Sequence, residues 1–244
     1  TGKEEWKIPL LYNTSTPLIA DVDGDNVPDV IAPGGKSRYL EIYNNNGVLK
    51  KILNNQQIGD SLYNSVISSD LDSDGIPEII YMGNIFDYYN GVKLTNSTVG
   101  SILAVSDIDG DGTKEIIGTT GVGQYIGGVK PSIKILFNYF KTAWQQRKFV
   151  AIADVLNLGT AQLIFSGDGP VSGGVGEIVI VDATGKVLRN YTVPGSNIAS
   201  GGPITVADLD NDGQKDILIS ATSVLTAMRS DGSIIWSKKI FDGS

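Results

Sequence analysis

The chain of 244 residues has no cysteine and no histidine, and only two methionines and three tryptophans. Without cysteine there is no disulfide to staple a loop-rich scaffold, and the redox compartment is not written in the sequence. Without histidine the commonest general base and the commonest transition-metal ligand are missing. Long apolar runs are absent too, so no membrane-spanning helix is expected. Basic stretches are equally scarce: the formal net charge is −8, and the basic footprint that phosphate binding needs is not found, which argues against nucleic acid as a partner. A hydrophobic content of 41% with 19% charge still favours a folded core over disorder. At this length a single domain buries about 70–75% of its unfolded surface. No leader is visible, so an exported form would be mature or cut from a longer precursor.

What the sequence has in abundance is acid at fixed spacing. The stretch "IADVDGDNVPDVIAPGG" holds Asp21, Asp23, Asp25 and Asp29 at positions 1, 3, 5 and 9 of a nine-residue window, pressed between apolar runs. Carboxylates this close repel, and burying any of them costs several kcal/mol unless a cation compensates. A single such window could be a solvated acidic turn, because Asp, Asn and Gly are ordinary loop residues. The window recurs, however, as Asp70, Asp72, Asp74 and Glu78, as Asp107, Asp109, Asp111 and Glu115, and as Asp208, Asp210, Asp212 and Asp216. Position 6 is Asn26, Gly75, Gly112 or Gly213, residue types that tolerate a left-handed turn.

Hard divalent ions take about six to eight oxygen ligands, and side chains at every second position plus a backbone carbonyl at position 7 supply them. The expected ligands are therefore these sixteen acids with the carbonyls of Val27, Ile76, Thr113 and Gln214, holding about four Ca²⁺ ions. Sixteen of the 27 acidic residues lie in these windows, and four doubly charged ions would cancel the net charge of −8. A fifth window from Asp154 keeps the frame but has Leu156, Leu158 and Gln162 at positions 3, 5 and 9, so it is expected to fold without metal. An EF-hand would require a bidentate Glu at position 12 and flanking helices. Position 12 is instead Ala32, Tyr81, Gly118 or Ile219, and the flanks "PLIA", "SVIS", "ILAV" and "PITV" are short and β-rich.

The windows begin at residues 21, 70, 107, 154 and 208, a repeat length of roughly 37 to 54 residues. Repeats of this length built from short strands suggest propeller blades. The fold class expected is all-β, a β-propeller of about five blades of four-stranded antiparallel sheets. The chain is read as one domain, 1–244, with repeats at about 16–55, 63–98, 100–148, 149–194 and 202–240, and an extra outer strand at 1–12. Third strands are expected at "IFDYYN", "SIKILFN", "GEIVIVD" and "SVLTAMR". Hairpin signals follow at Asn90-Gly91, Gly185 and Asp231-Gly232. Outer strands are expected near Gly47, Gly91, Lys141, Thr184 and Asp231. Counted with the N-terminal run, that is one outer strand more than five blades use. The surplus strand would pack across the last blade, complete a neighbouring domain or support self-association.

The D-x-D-x-D-G-x-x-[DE] loop between an apolar strand and an "EII" or "DIL" strand resembles the FG-GAP/VCBS repeat of integrin α propellers and of many microbial extracellular proteins and fungal lectins. The resemblance covers essentially the whole chain. It implies Ca²⁺ loops joining strands 1 and 2 on one face, with 2–3 and 4–1 loops forming an opposite face that binds a protein or glycan ligand. The fourth repeat departs from the family in lacking its ligands, and five repeats are fewer than the usual six to eight. "TGKEEW" and "DGSIIW" are also similar to outer strands of quinoprotein propellers, but the motifs that hold the quinone are missing.

The implied function is a calcium-stabilised, non-enzymatic binding, adhesion or cell-surface assembly module outside the cell. Sequons at Asn13, Asn96 and Asn190 fit that location. The Gly-rich stretches from residues 118 and 167 are read as 2–3 loops, either spacers or recognition elements, with Tyr63, Tyr125 and Trp144 as flat candidate contacts. The alternative is a carbohydrate-active enzyme, a lyase or glycosidase, for which Asp60, Asp168 and Asp182 are the acids left over.

Overall fold

A computed structural model describes residues 4–8, 16–34, 39–54, 66–81, 83–94, 98–139, 147–167, 176–192, 202–221 and 224–240. Tyr63, Trp144, Asp60, Asp168, Asn13, Asn96, the outer run near Lys141 and most of the stretch from residue 167 lie outside them.

Every element among these residues is a strand, and the strands form five four-stranded antiparallel sheets, each a simple meander in chain order. Sheet one contains β1 (Leu18–Ala20), β2 (Asp29–Gly34), β3 (Tyr39–Tyr43) and β4 (Leu49–Asn54). Sheet two contains β5 (Ile67–Ser69), β6 (Glu78–Tyr81), β7 (Asn84–Asp87) and β8 (Gly91–Leu94). Sheet three contains β9 (Ile102–Ser106), β10 (Glu115–Gly118), β11 (Gly121–Ile126) and β12 (Ser132–Asn138). Sheet four contains β13 (Arg147–Ala153), β14 (Gln162–Gly167), β15 (Glu177–Val181) and β16 (Val187–Thr192). Sheet five contains β17 (Ile204–Ala207), β18 (Asp216–Ala221), β19 (Val224–Met228) and β20 (Ile234–Lys239). This is the architecture of a β-propeller.

The chain divides into two compact units, residues 1–102 with 125–134, and residues 103–124 with 135–244. In the first unit Val22, Ile31, Leu40, Ile42, Ile79, Tyr81 and Phe86 form one buried cluster. In the second, one cluster centres on Ile164, Ile178, Ile180, Ile217 and Ile219, and another on Ile117, Val122, Leu163 and Phe165. Second strands carry continuous apolar runs because both of their faces are covered, as in β6, β10 and β14, where every residue is buried. Fourth strands alternate instead: β12 switches between exposed and half-buried residues along its length.

The hairpins between third and fourth strands close as the Gly signals require. Gly47, Gly185 and Gly232 have φ of 75°, 84° and 92°, and their amides donate to Asn44, Asp182 and Arg229 carbonyls at 3.0 Å in each case. This is a turn ending in a left-handed residue.

Three expectations need correction. The Gly-rich stretch from residue 118 is not a 2–3 loop: it is the third strand β11, and "SIKILFN" is the fourth strand β12. Glycine has low strand propensity, which hid it, yet a Cβ on Gly121 would stand 2.4 Å from Asn138 Oδ1 and 2.8 Å from the Phe137 carbonyl. Only Gly permits that approach. β13 begins at Arg147, two residues inside the expected third repeat. Finally, residues 4–8 form no strand, and Trp6 packs on the first sheet's hairpin. Its indole N–H donates to the Asn45 carbonyl at 2.9 Å, and its ring covers Gly47 in the β3–β4 hairpin. "SIIWSKKI" is not surplus, since β20 pairs with β19 as an ordinary fourth strand.

Candidate metal centres

Each first strand runs into its second through an eight-residue loop, positions 1–8 of the window, and position 9 is the first residue of the second strand. Positions 4 and 6 are left-handed throughout: Gly24 and Asn26, Ser73 and Gly75, Gly110 and Gly112, Asn157 and Gly159, Asn211 and Gly213. Three of these positions 4 are not glycine, so the loop holds strained residues in place with its own hydrogen bonds.

The position-1 carboxylate supplies most of them. Asp107 accepts the N–H groups of Gly110 at 2.7 Å and Gly112 at 3.0 Å, as Asp21 accepts those of Gly24 and Asn26, each at 2.8 Å. Asp70 and Asp208 accept from Gly75 and Gly213 at 3.1 and 3.0 Å. The position-5 acids Asp25, Asp74, Asp111 and Asp212 accept the position-7 N–H of Val27, Ile76, Thr113 and Gln214 at 2.7–2.8 Å. The position-9 acid, buried in every case, reaches back to the N–H of position 2: Asp29 to Val22, Glu78 to Leu71, Glu115 to Ile108 and Asp216 to Leu209.

One oxygen from each of positions 1, 3 and 9 converges in each acidic loop. The sets are Asp21, Asp23 and Asp29; Asp70, Asp72 and Glu78; Asp107, Asp109 and Glu115; and Asp208, Asp210 and Asp216, each with ligand oxygens within 4.8 Å of one another. Oxygens gathered this closely could hold one metal ion between them. The position-5 acids are not part of these convergent sets.

Electrostatics mark the same groups. Burial raises the Glu115 carboxyl above its usual range against the Ile108 N–H bond, and Asp109, Asp111 and Asp107 raise it further. Burial likewise raises Asp29 and Glu78, opposed by Lys50 and Lys93. Sequence reading missed these two cations. Lys50 Nζ pairs with Asp23, with Asp25 at 3.2 Å and with Asp29 at 2.9 Å. Lys93 Nζ pairs with Asp72 at 2.7 Å, Glu78 at 2.6 Å and Asp87 at 3.7 Å. In sheet five Arg229 pairs with Asp210 and, at 3.9 Å, with Asp212.

The fourth loop needs no cation. Gln162 Oε1 accepts the N–H groups of Val155 at 2.9 Å and Leu156 at 3.0 Å, while its amide nitrogen donates to Asp154 at 3.2 Å. Asp154 in turn accepts from Leu158 and Gly159, each at 2.8 Å. A neutral side chain thus holds this loop through its amide.

No family model matches this chain, and no curated protein does. Solved structures match in fold alone. The V. cholerae biofilm matrix protein Bap1 is 16% identical with a TM-score of 0.60 over 93% of this chain and 48% of that one. BBS1N, solved in complex with ARL6DN, is 13% identical with a TM-score of 0.56 over 95% of this chain and 67% of its own. A streptogramin B lyase is 15% identical with a TM-score of 0.51 over 88% and 66%. This chain therefore spans about half of the Bap1 chain.

The remaining candidates are placed plainly. Tyr125 is buried in β11, and Lys93, Glu78 and Asp72 lie close enough to act on its hydroxyl. It does not sit on a face opposite the acidic loops, since a Cβ on Gly127 would lie 3.7 Å from both Asp72 and the Tyr125 ring. Asp182 is spent on its hairpin, accepting from Thr184 N at 2.9 Å, Thr184 Oγ1 at 2.7 Å and Lys186 N at 3.0 Å. Asn190 lies exposed on the fourth strand β16. Among the described residues no helix is long and apolar enough to cross a membrane.

Proposed function

We propose that this chain is a calcium-stabilised propeller of the FG-GAP/VCBS kind, serving outside the cell as a non-enzymatic binding or adhesion module for a protein or glycan. The observation that carries the reading is the convergence of three carboxylate oxygens in four loops of one backbone form, while the fifth replaces them with an amide. An all-oxygen, carboxylate-rich donor set suits a hard divalent ion, and repeats of weak sites suit millimolar external Ca²⁺. The carbonyls of Val27, Ile76, Thr113 and Gln214 would complete the coordination, since their own N–H groups are already held by position 5.

A binding role draws support from the propeller fold shared with a biofilm matrix protein, but the same fold occurs in a lyase, so fold does not choose between the classes. Asp182, the described member of the leftover acids, is committed to its turn, which favours the non-enzymatic reading. The test is a melting curve in 1 mM Ca²⁺ and in excess chelator, followed by a glycan array and a polysaccharide-degradation assay. With a Kd of about 10⁻⁴ M each filled site adds about 1.4 kcal/mol, so chelation should lower Tm by roughly 10 °C or more. An unchanged curve would refute the calcium reading, and polysaccharide cleavage would refute the non-enzymatic one.

A further inference from the structure

The cations in the first two acidic loops do not arrive by accident of surface packing. In sheets one, two, four and five the register between third and fourth strands slips by one residue, leaving one extra residue on the fourth strand: Lys50, Lys93, Leu188 and Ile235. A bulge re-aims the extra side chain. In sheets one and two it directs an ammonium into the acidic loop of the same sheet. In sheet four the loop has lost its acids, and the bulge residue is apolar to match: Leu188 lines a cleft of about 250 Å³ with Leu156 and Leu158, the residues at positions 3 and 5. The bulge residue and the loop therefore match in charge where they face each other, acid with lysine and leucine with leucine. In sheet five the bulge residue is Ile235 and the cation comes from Arg229, just beyond β19.

We propose that Lys50 and Lys93 are tethered counter-ions that occupy the cation position of the first and second loops and must be displaced for a metal ion to bind there. This rests on the calcium reading of those loops. Lys50 touches positions 3, 5 and 9 of its loop and Lys93 positions 3 and 9, so the ammonium and the ion would share the position-3 and position-9 carboxylates. A lysine stem is flexible and its head strongly hydrated, so the displaced ammonium has water to go to. The device keeps the buried Asp29 and Glu78 compensated when Ca²⁺ is scarce and weakens these two sites, setting the Ca²⁺ concentration at which they fill.

The test titrates the full chain with Ca²⁺ by calorimetry and by Tm, comparing wild type, Lys50→Met, Lys93→Met and the double variant, with Leu188→Met as the matched bulge control. The expected result has two opposite signs. Ca²⁺ affinity at the altered sites tightens about tenfold, a change of about 1.4 kcal/mol per site. Tm in chelator falls, because a buried carboxylate loses its partner. Leu188→Met changes neither. Wild-type Ca²⁺ binding with unchanged affinity in the lysine variants overturns this inference and leaves the calcium reading standing. No Ca²⁺ binding by wild type or by any variant overturns both. Should Lys50→Met fail to fold in chelator but fold in Ca²⁺, the inference is supported in its strongest form. Lys50→Gln, which keeps polarity without charge, is expected to tighten binding in the same direction, and failure of both variants to fold under either condition overturns the counter-ion role.

Discussion

Glu115→Gln gives the third loop the position-9 amide of the fourth, and the structure fixes both the sign and the size of what should follow. Glu115 is buried and accepts one N–H, that of Ile108, at 3.0 Å, among Asp107, Asp109 and Asp111. Its counterpart Gln162 accepts two such groups and returns a hydrogen bond to Asp154. A glutamine at 115 keeps the acceptor, gains a donor for Asp107 and removes the one buried negative charge of the acidic set. In chelator the variant should be more stable than wild type by about 1 kcal/mol, the net worth of one hydrogen bond. In 1 mM Ca²⁺ that gain is set against the loss of up to about 1.4 kcal/mol of ion binding, so the variant should be less stable than wild type by about 0.4 kcal/mol. For a chain of this size these are shifts of about 2–4 °C up and about 1–2 °C down. Differential scanning calorimetry in the two buffers reads both. A fall of equal size in both buffers would mean that Glu115 is only a hydrogen-bond acceptor, and the argument for a metal in that loop would be refuted.

Other perturbations separate metal from scaffold. Asp154→Asn should cost about 1–3 kcal/mol with or without Ca²⁺, because the lost acceptors hold the Leu158 and Gly159 amides. Burial pushes the Asp154 carboxyl up, but the Leu158, Gly159 and Gln162 hydrogen bonds outweigh it and hold it below 3.8. Its contribution is therefore present above that value and lost as pH falls through the folded-state pKa, which an acid-unfolding series on wild type and Asp154→Asn should display as a difference that closes at low pH. Gly202→Ala should cost more than about 3 kcal/mol, since its Cβ would lie 1.6 Å from the Ser220 carbonyl oxygen. Gly185→Ala, at φ +84° with Phe137 2.4 Å away, should be milder if the Phe137 ring can shift, and denaturant melts will rank the two.

The acidic loops were readable from positions 1, 3, 5 and 9 of the window and the sheets from its repeat and apolar flanks, because a repeated spacing is a local property of the chain. The loss of ligands at Leu156, Leu158 and Gln162 was readable for the same reason, but the hydrogen bonds of the Gln162 amide were not. β11 was not, because "GVGQYI" carries three features of a loop and becomes a strand only through the close approach of β12 to Gly121. Lys50 and Lys93 were not readable because a bulge is a property of strand register, which two partners set together. Trp6 misled for a related reason: its pattern matched an outer strand, but its indole found a hairpin carbonyl instead of a ladder.

That docking of Trp6 has a consequence for where one repeat ends and the next begins. Phe137 of β12 covers Gly185 in the hairpin of sheet four, Tyr191 of β16 covers Gly232 in that of sheet five and donates to the Ser230 carbonyl at 2.7 Å, and Lys51 of β4 donates to the Tyr88 carbonyl beside the hairpin of sheet two. Trp6 does for sheet one what a preceding fourth strand does for sheets two, four and five. The physically coupled module is therefore staggered by one strand from the sheet: it starts at the residue that seals a hairpin and runs through the sheet that owns that hairpin. Grafting or shuffling segments at sheet boundaries would cut every seal, whereas cutting just before the fourth strand would carry each seal along with the turn it protects.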